Sequence, residues 1–262
     1  MAAWIPDELR GEAAARECRC LLDLAERWQQ QMPDEFRILH SGDMPRRDFA
    51  GCQVMLAVEG GGAVGDAPEL WERLGRSGVK AVSLTWNGDN AWASGCGGTP
   101  DAGLTAVGRR AVKQLEALGV TVDVAHLNAA GFWETAALCR KPFIATHTNA
   151  AAVYPHPRNL TDEQFGVIRD RGGLVGLDLY PGHLGEWSPE QFQRHVEHFL
   201  ALDGENTVCI GSDLDGFSLP DGTDGPALLA GLRRHLQKAG YPESLLNNIF
   251  YQNARRFFFG QE

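Results

Sequence analysis

Four residues able to do chemistry stand at the ends of short apolar runs. Glu59 follows residues 54–58, His126 follows 120–125, His147 follows 143–146, and Asp213 lies just beyond 207–210. One carboxylate and two imidazoles make a donor set that suits zinc and leaves a coordination position for water. Each also has a plainer alternative. Glu59 stands in Val58-Glu59-Gly60-Gly61-Gly62, where a solvated glutamate in a tight turn is equally in keeping, and a single histidine at a strand end can be a rim residue only. The pair of histidines in matching positions, with Glu59, favours a metal. The glycines lack the G-x-G-x-x-G spacing of a dinucleotide loop.

Asp213 and Asp215 stand in Ile-Gly-Ser-Asp-Leu-Asp-Gly. Asp213 is nearer the apolar run and is the candidate for general acid and base work. Asp215 is expected to brace the following loop. Arg158 follows two prolines in Tyr-Pro-His-Pro-Arg-Asn. A guanidinium on a stiff loop suits a carboxylate, which it grips with two parallel hydrogen bonds; the alternative is a surface arginine. His195 and His198, three apart on an expected helix, are expected to be solvated. His40 and Asp43 form an H-x-x-D pair in an expected loop, for which metal binding is the minor alternative.

These side chains need a scaffold that brings strand ends together. Apolar runs rich in Val, Ile and Leu recur at 54–58, 81–85, 120–125, 143–146, 173–179 and 207–210, with 2–5 as a further candidate. Their lack of strict alternation is that of strands buried on both faces. Helical patterns lie between them at 67–75 (Leu70, Trp71, Leu74), at 105–118 (Val107, Val112, Leu115, Leu118) and at 161–171, where Thr161 is the expected cap. Gly75, Gly78 and Gly119 are expected at helix ends. Strand–helix alternation means a parallel α/β fold. Chemistry spread over four strand ends favours a (β/α)8 TIM-type barrel over a doubly wound sheet, which concentrates its site at one switch point.

The chain has 262 residues and a formal net charge of -10. That length fits one barrel domain over 1–262, and that charge argues against nucleic acid or an anionic membrane as partner. The opening residues show no basic segment followed by a long apolar one, so no leader is expected. Six cysteines without a C-x-x-C pair suggest a reducing, cytoplasmic compartment. Cys18 and Cys20 are expected on two faces of one helix.

Seven segments, in order, resemble the membrane dipeptidase (renal dipeptidase-like) family: VEGG at 58–61, SLTWN at 83–87, GLTAVGRRAVKQLEALGVTVDVAH at 103–126, ATHTNA at 145–150, HPRNLTDEQ at 156–164, GGLVGL at 172–177 and GSDLDG at 211–216. The resemblance implies a metal-dependent hydrolase barrel with a two-zinc centre. It implies Glu59, His126 and His147 as metal ligands, Asp213 as the catalytic proton carrier, and Arg158, Asn159 and Trp86 as substrate-binding residues. The implied reaction is hydrolysis of a dipeptide with a free C-terminal carboxylate.

Two departures stand out. No H-x-D motif of the family's first strand is present, so the chain is expected to lack that strand, and one zinc rather than two is compatible with the residues present. Trp86 occupies a position where family members carry a substrate-holding histidine. The competing expectation is therefore a catalytically impaired or non-catalytic barrel that binds metal or peptide. Hydrolysis of a lactone or an N-acyl amino acid is a third. Expected partners are a small dipeptide or N-acyl amino acid, no nucleic acid and no membrane, with a homodimer left open.

Overall fold

The structure, a computed structural model, describes residues 1–65, 68–218 and 225–260, the side chains of 68–70 excepted. Of the expected helix at 67–75, Ala67 and the Leu70 side chain lie outside the described residues. The chain divides into two compact units, Met1–Phe143 and Ile144–Glu262.

In the first unit the elements run β1 (Ala2–Trp4), α1 (Gly11–Gln31), β2 (Phe36–Ile38), β3 (Cys52–Val54), β4 (Leu56–Glu59), a 3-10 turn (Gly61–Val64), α2 (Pro68–Arg76), β5 (Val79–Ser83), α3 (Ala106–Leu118), β6 (Thr121–Asp123) and α4 (Ala129–Leu138). The strands β1-β4-β5-β6 form one parallel sheet in that order, and β2 pairs with β3 in a second. Register places Trp4 opposite Glu59 and Ser83 opposite Asp123, so the strands finish along one edge. Val58, Val82 and Val122 are buried within the sheet, and α1 buries Ala14, Ala15, Cys18, Leu22 and Ala25. Such small side chains let a helix lie close to its neighbours. Cys18 is buried and Cys20 exposed, as expected for two faces of one helix.

Several boundaries differ from expectation for local reasons. The run 54–58 is broken at Met55, dividing it between β3 and β4, which belong to different sheets. Gly75 lies inside α2; the left-handed turn that ends the helix falls to Gly78, with φ of 76°. Thr105 caps α3 by accepting from Gly108 N, and Gly119 closes it at φ 72°. Leu118, expected on the apolar face, is 41% exposed, because the buried stripe runs through Gly108, Ala111, Val112 and Leu115.

The second unit runs β7 (Ala145–Thr148), α5 (Asp162–Asp170), β8 (Val175–Leu177), α6 (Pro181–Leu184), α7 (Pro189–Ala201), β9 (Val208–Ile210), α8 (Gly225–Lys238), α9 (Glu243–Asn247), a π-helical turn (Asn248–Gln252) and α10 (Asn253–Phe259). Its sheet is parallel in the order β7-β8-β9. Phe165 and Phe199 stack at 4.3 Å, joining α5 to α7. Asn253 donates to the carbonyls of Glu205 and Val208 at 2.8 and 2.7 Å, tying α10 to β9. Thr161 and Gln164 form the reciprocal capping box of α5.

Two glycines set the strand spacing in this unit. A Cβ at Gly176 would come within 2.0 Å of the Thr146 carbonyl oxygen, and one at Gly211 within 1.9 Å of the same atom. Only glycine permits that approach, which lies beside the irregular β7–β8 register between Ala145 and Thr148. Among the described residues, no helix is long and apolar enough to cross a membrane.

Gly176→Ala is expected to destabilise the protein by about 1–3 kcal/mol or more, since rigid backbone must shift. Gly166, inside α5 with nothing within 4 Å of an added Cβ, is expected to behave oppositely. Gly166→Ala should stabilise by about 0.5–1 kcal/mol. Urea unfolding of the two variants checks both signs.

Candidate active site

In the first unit, Glu59 is the last residue of β4, and its carbonyl accepts from Ile5 N at 2.9 Å. Gly60 then turns left-handed at φ 79° and donates its N–H to Ser83 Oγ at 3.3 Å. An added Cβ at Gly60 would lie 2.8 Å from the Ile5 carbonyl oxygen. The glycine run is thus the hinge that fixes where the Glu59 carboxylate leaves the sheet.

His126 is placed by a different device. Buried Asp123, at the end of β6, accepts from Ala125 N at 3.0 Å, a local turn of the Asx kind. The chain then passes through φ 70° at His126 itself. That region is rare for a residue with a Cβ and concentrates at functional sites. Two residues therefore separate His126 from β6, whereas His147 lies within β7 rather than after it.

The ring of His126 has Nδ1 2.9 Å from Asn87 Oδ1 and Nε2 2.8 Å from Glu59 Oε1. With Asn87 Oδ1 as acceptor the proton is on Nδ1, and Nε2 meets the carboxylate either as the N–H of a charged ring or, in the neutral ring, with a lone pair. Two lone pairs at that distance repel unless a proton or a cation satisfies both. A divalent ion does so while keeping the imidazole neutral, and a ligand histidine that donates its other N–H to an oxygen is the usual arrangement. Trp86 lies alongside, 6.5 Å from the His126 ring and edge-on to Trp4 at 5.0 Å.

The second unit carries His147, Arg158, Asp178, His183 and Asp213. Thr146 Oγ1 lies 2.9 Å from His147 Nδ1. Burial holds the pKa of His147 well below the usual imidazole value, and the positive charges of Arg158 and His183 add to this. Neutral imidazole is the form that ligates metal.

Arg158 is 6% exposed, not a surface arginine. Its Nη2 donates to the His147 carbonyl at 3.0 Å, and its own carbonyl accepts from Thr148 Oγ1 at 2.8 Å. Its buried Nε makes no hydrogen bond, so the guanidinium retains donor capacity for an anion. Asn159 spends its amide on the fold: Nδ2 donates to the carbonyls of Tyr154 and His183 at 2.9 and 2.8 Å, and Oδ1 accepts from Asn149 N at 3.2 Å.

Asp213 adopts φ 55° and Asp215 φ 72°, two left-handed residues in one short loop. Burial pushes the Asp213 carboxyl up to about 6, and the carboxylate of Asp178 pushes the same way against Arg158 and His183. A carboxyl so poised can both accept and return a proton near neutral pH.

Asp178 escaped the sequence reading. It follows an apolar strand as Leu-Asp-Leu, flanked by leucines and without a glycine turn to flag it, yet it is fully buried. The His183 ring meets Asp178 at 2.7 Å. His195, expected in solvent, is fully buried, with Nδ1 accepting from Ala150 N at 3.1 Å and Nε2 facing the Leu184 carbonyl at 3.1 Å. Its helix face packs inward, so the polar spacing misled. His198 stays on the outer part, paired with Asp162. Asp43 Oδ2 accepts from His40 N at 2.8 Å, which makes that pair a turn.

Glu59 and His126 come together in the first unit and His147 stands on β7 of the second; all three are side chains of types able to hold a metal ion. A parallel α/β fold with carboxylate and imidazole donors at strand ends has the make-up of a metal-dependent hydrolase. The family model for membrane dipeptidase (peptidase family M19) matches residues 1–261. The chain belongs to that family and is a metallodipeptidase-type hydrolase.

It is 37% identical over 254 residues to the Klebsiella pneumoniae "uncharacterized protein in pqqA 5'region", covering 87% of this chain and 93% of the relative. A solved family M19 metallopeptidase, dipeptidase AC, superposes with a TM-score of 0.90 at 28% identity, covering all of this chain and 85% of the other. A metallopeptidase from Rhodobacter sphaeroides, solved with a phosphinate mimic of the dipeptide L-Ala-D-Ala, superposes at 0.88 and 28% identity over 98% of this chain and 85% of its own.

The raised pKa of Asp213 carries a sign for stability. Between the unfolded value of 3.8 and the folded value of about 6, the folded state binds more protons, so stability falls as pH rises through this window. In chelator-treated protein, Asp213→Asn is expected to remove that loss and to raise stability at pH 7 by on the order of 1 kcal/mol. Thermal unfolding at pH 4 and pH 7 should show the variant gaining at the higher pH only.

Proposed function

We propose that the protein is a zinc-dependent dipeptidase that hydrolyses dipeptides with a free C-terminal carboxylate. The observation that carries this is the Glu59–His126–Asn87 arrangement, in which the imidazole lies 2.8 Å from the carboxylate and 2.9 Å from the amide oxygen that orients it. Glu59, His126 and His147 would hold the ion. A bound zinc supplies Lewis acidity toward the scissile carbonyl and lowers the pKa of water.

The chain's own residues do the rest. Arg158 binds the substrate's carboxylate through donors left over from its bond to the His147 carbonyl. That anchor fixes the peptide bond relative to Asp213. Asp213, as carboxylate, takes a proton from the attacking water and returns it to the departing amine. Trp86, stacked edge-on against Trp4, forms an apolar wall that limits water and contacts the substrate's side chain. Asn159 shapes the same pocket indirectly, by holding the loop that carries Arg158. A single (β/α)8-type barrel over residues 1–262 belongs to this proposal. The strand–helix order and the TM-scores of 0.90 and 0.88 support it. A cytoplasmic location belongs to it as well, supported by six free cysteines.

Chelation is expected to abolish turnover of a small dipeptide panel, and added zinc to restore it. Asp213→Asn should lower kcat by about 100-fold or more while metal content is unchanged. His126→Ala and His147→Ala should each lower bound zinc, measured by elemental analysis. Unchanged turnover in Asp213→Asn would overturn the proton-carrier role. Bound zinc without any turnover in the wild type would favour a non-catalytic binding protein instead.

A further inference from the structure

The first unit exposes an indole that the proposed chemistry leaves without a role of its own. Trp4 closes β1 and is 43% exposed. β1 is the edge of its sheet, where a large apolar side chain in water is a liability unless something covers it. The ring is held in place: it meets Trp86 edge-on, with centroids 5.0 Å apart and planes at 79°.

Strand order and ring contacts set this pair of indoles against the Glu59–His126 pair. Trp4 stands opposite Glu59 across the β1–β4 ladder. Side chains alternate along a strand, and Ala3 and Val58 are the buried ones, so Trp4 and Glu59 share the other face. Trp86 follows β5, the strand on the opposite side of β4 from β1. Gly60 shows how closely the three strand ends converge. An added Cβ there would lie 2.8 Å from the Ile5 carbonyl oxygen and 3.6 Å from the Trp86 Cβ. The two indoles therefore meet across the end of β4, where Glu59 leaves the sheet. From there the Trp86 ring reaches to within 6.5 Å of the His126 ring, whose Nε2 is 2.8 Å from Glu59 Oε1.

The proposed reaction says what such a wall borders. The carbonyl under attack belongs to the first residue of the dipeptide, and it is held at the Glu59 and His126 ligands. The side chain of that residue branches from the carbon next to the carbonyl. A wall continuous with His126 thus borders the first side chain rather than the second residue, whose carboxylate goes to Arg158. An indole presented to water gains most from another aromatic ring. Both partners then bury area, and the edge-to-face contact that the two indoles already make is repeated.

We propose that Trp4, braced by Trp86, is a specificity-determining residue for the first position of the substrate, and that the preferred class is a dipeptide with an aromatic amino-terminal side chain. This rests on the dipeptidase function proposed above and narrows its substrate.

The test compares phenylalanyl-alanine, alanyl-alanine and alanyl-phenylalanine on zinc-loaded wild type, Trp4→Ala and Trp4→Phe. Calorimetric titration with the phosphinate analogues of the first two measures binding apart from turnover. Wild type is expected to favour phenylalanyl-alanine over alanyl-alanine by about ten- to hundred-fold in kcat/KM, and its analogue by a similar ratio in Kd. The preference should fall on KM rather than kcat. Trp4→Ala is expected to shrink both ratios about ten-fold, and Trp4→Phe to keep most of them. The ratio of alanyl-phenylalanine to alanyl-alanine should be the same in wild type and Trp4→Ala. If Trp4→Ala fails to fold, Trp4→Leu replaces it, with Trp4→Phe expected to keep the larger preference.

A wild type without the preference, or ratios that the Trp4 variants leave unchanged, overturns the assignment. A loss of equal size on alanyl-phenylalanine overturns its placement at the first residue. A wild type that binds the analogues but hydrolyses no dipeptide overturns the proposed function, while the role of Trp4 stands or falls on the Kd ratio. A wild type that neither hydrolyses nor binds overturns both.

Discussion

The bond from His126 to Asn87 is the constraint on which the first half of the site depends. It commits the proton to Nδ1 and leaves Nε2 facing Glu59 at 2.8 Å. Without it the ring could donate to the carboxylate and form an ordinary ion pair. With it, the pair needs a protonated ring or a cation between the two groups, because facing lone pairs in a poorly hydrated setting are costly. The left-handed turn at His126 and the Gly60 hinge are the backbone conditions for holding the two groups in this relation.

The second half of the site is organised by charge in a confined space. Arg158 and Asp178 are both buried, and burying either alone would be costly. Each is therefore stabilised locally: Arg158 by the His147 carbonyl, Asp178 by Asn149, the Tyr180 amide and His183. Burial is the main cause that keeps His147 neutral and raises Asp213; Arg158 and His183 add to the first and oppose the second. One set of charges thus acts on His147 and Asp213 together. The close approach of Gly176 and Gly211 to the Thr146 carbonyl is what brings the ends of β7, β8 and β9 near enough for that field to be shared.

Strands were the most legible part of the chain. All seven apolar runs contain or overlap a strand, because residues buried on two faces must be apolar whatever their partners. The pairing of β2 with β3 was not legible, since three-residue strands at a small sheet leave too short a pattern. The helix α1 was legible only at Cys18 and Cys20, its buried face being built largely from alanines that carry little contrast. Thr161 and Gly119 were read correctly because caps and left-handed closures are local chemistry. Gly75 was not, since glycine within a helix and glycine after one look alike in sequence.

By itself, the sequence determined the parallel α/β class and the family, because hydrophobic period and motif pattern are properties of short segments. Only tertiary structure decided the state of those side chains. Burial of Arg158 and His195, the proton position on His126, the raised pKa of Asp213 and the Asp178–His183 pair all depend on residues distant in the chain. Dielectric and hydrogen-bond partners are set by what folds around a group, and no local pattern records them.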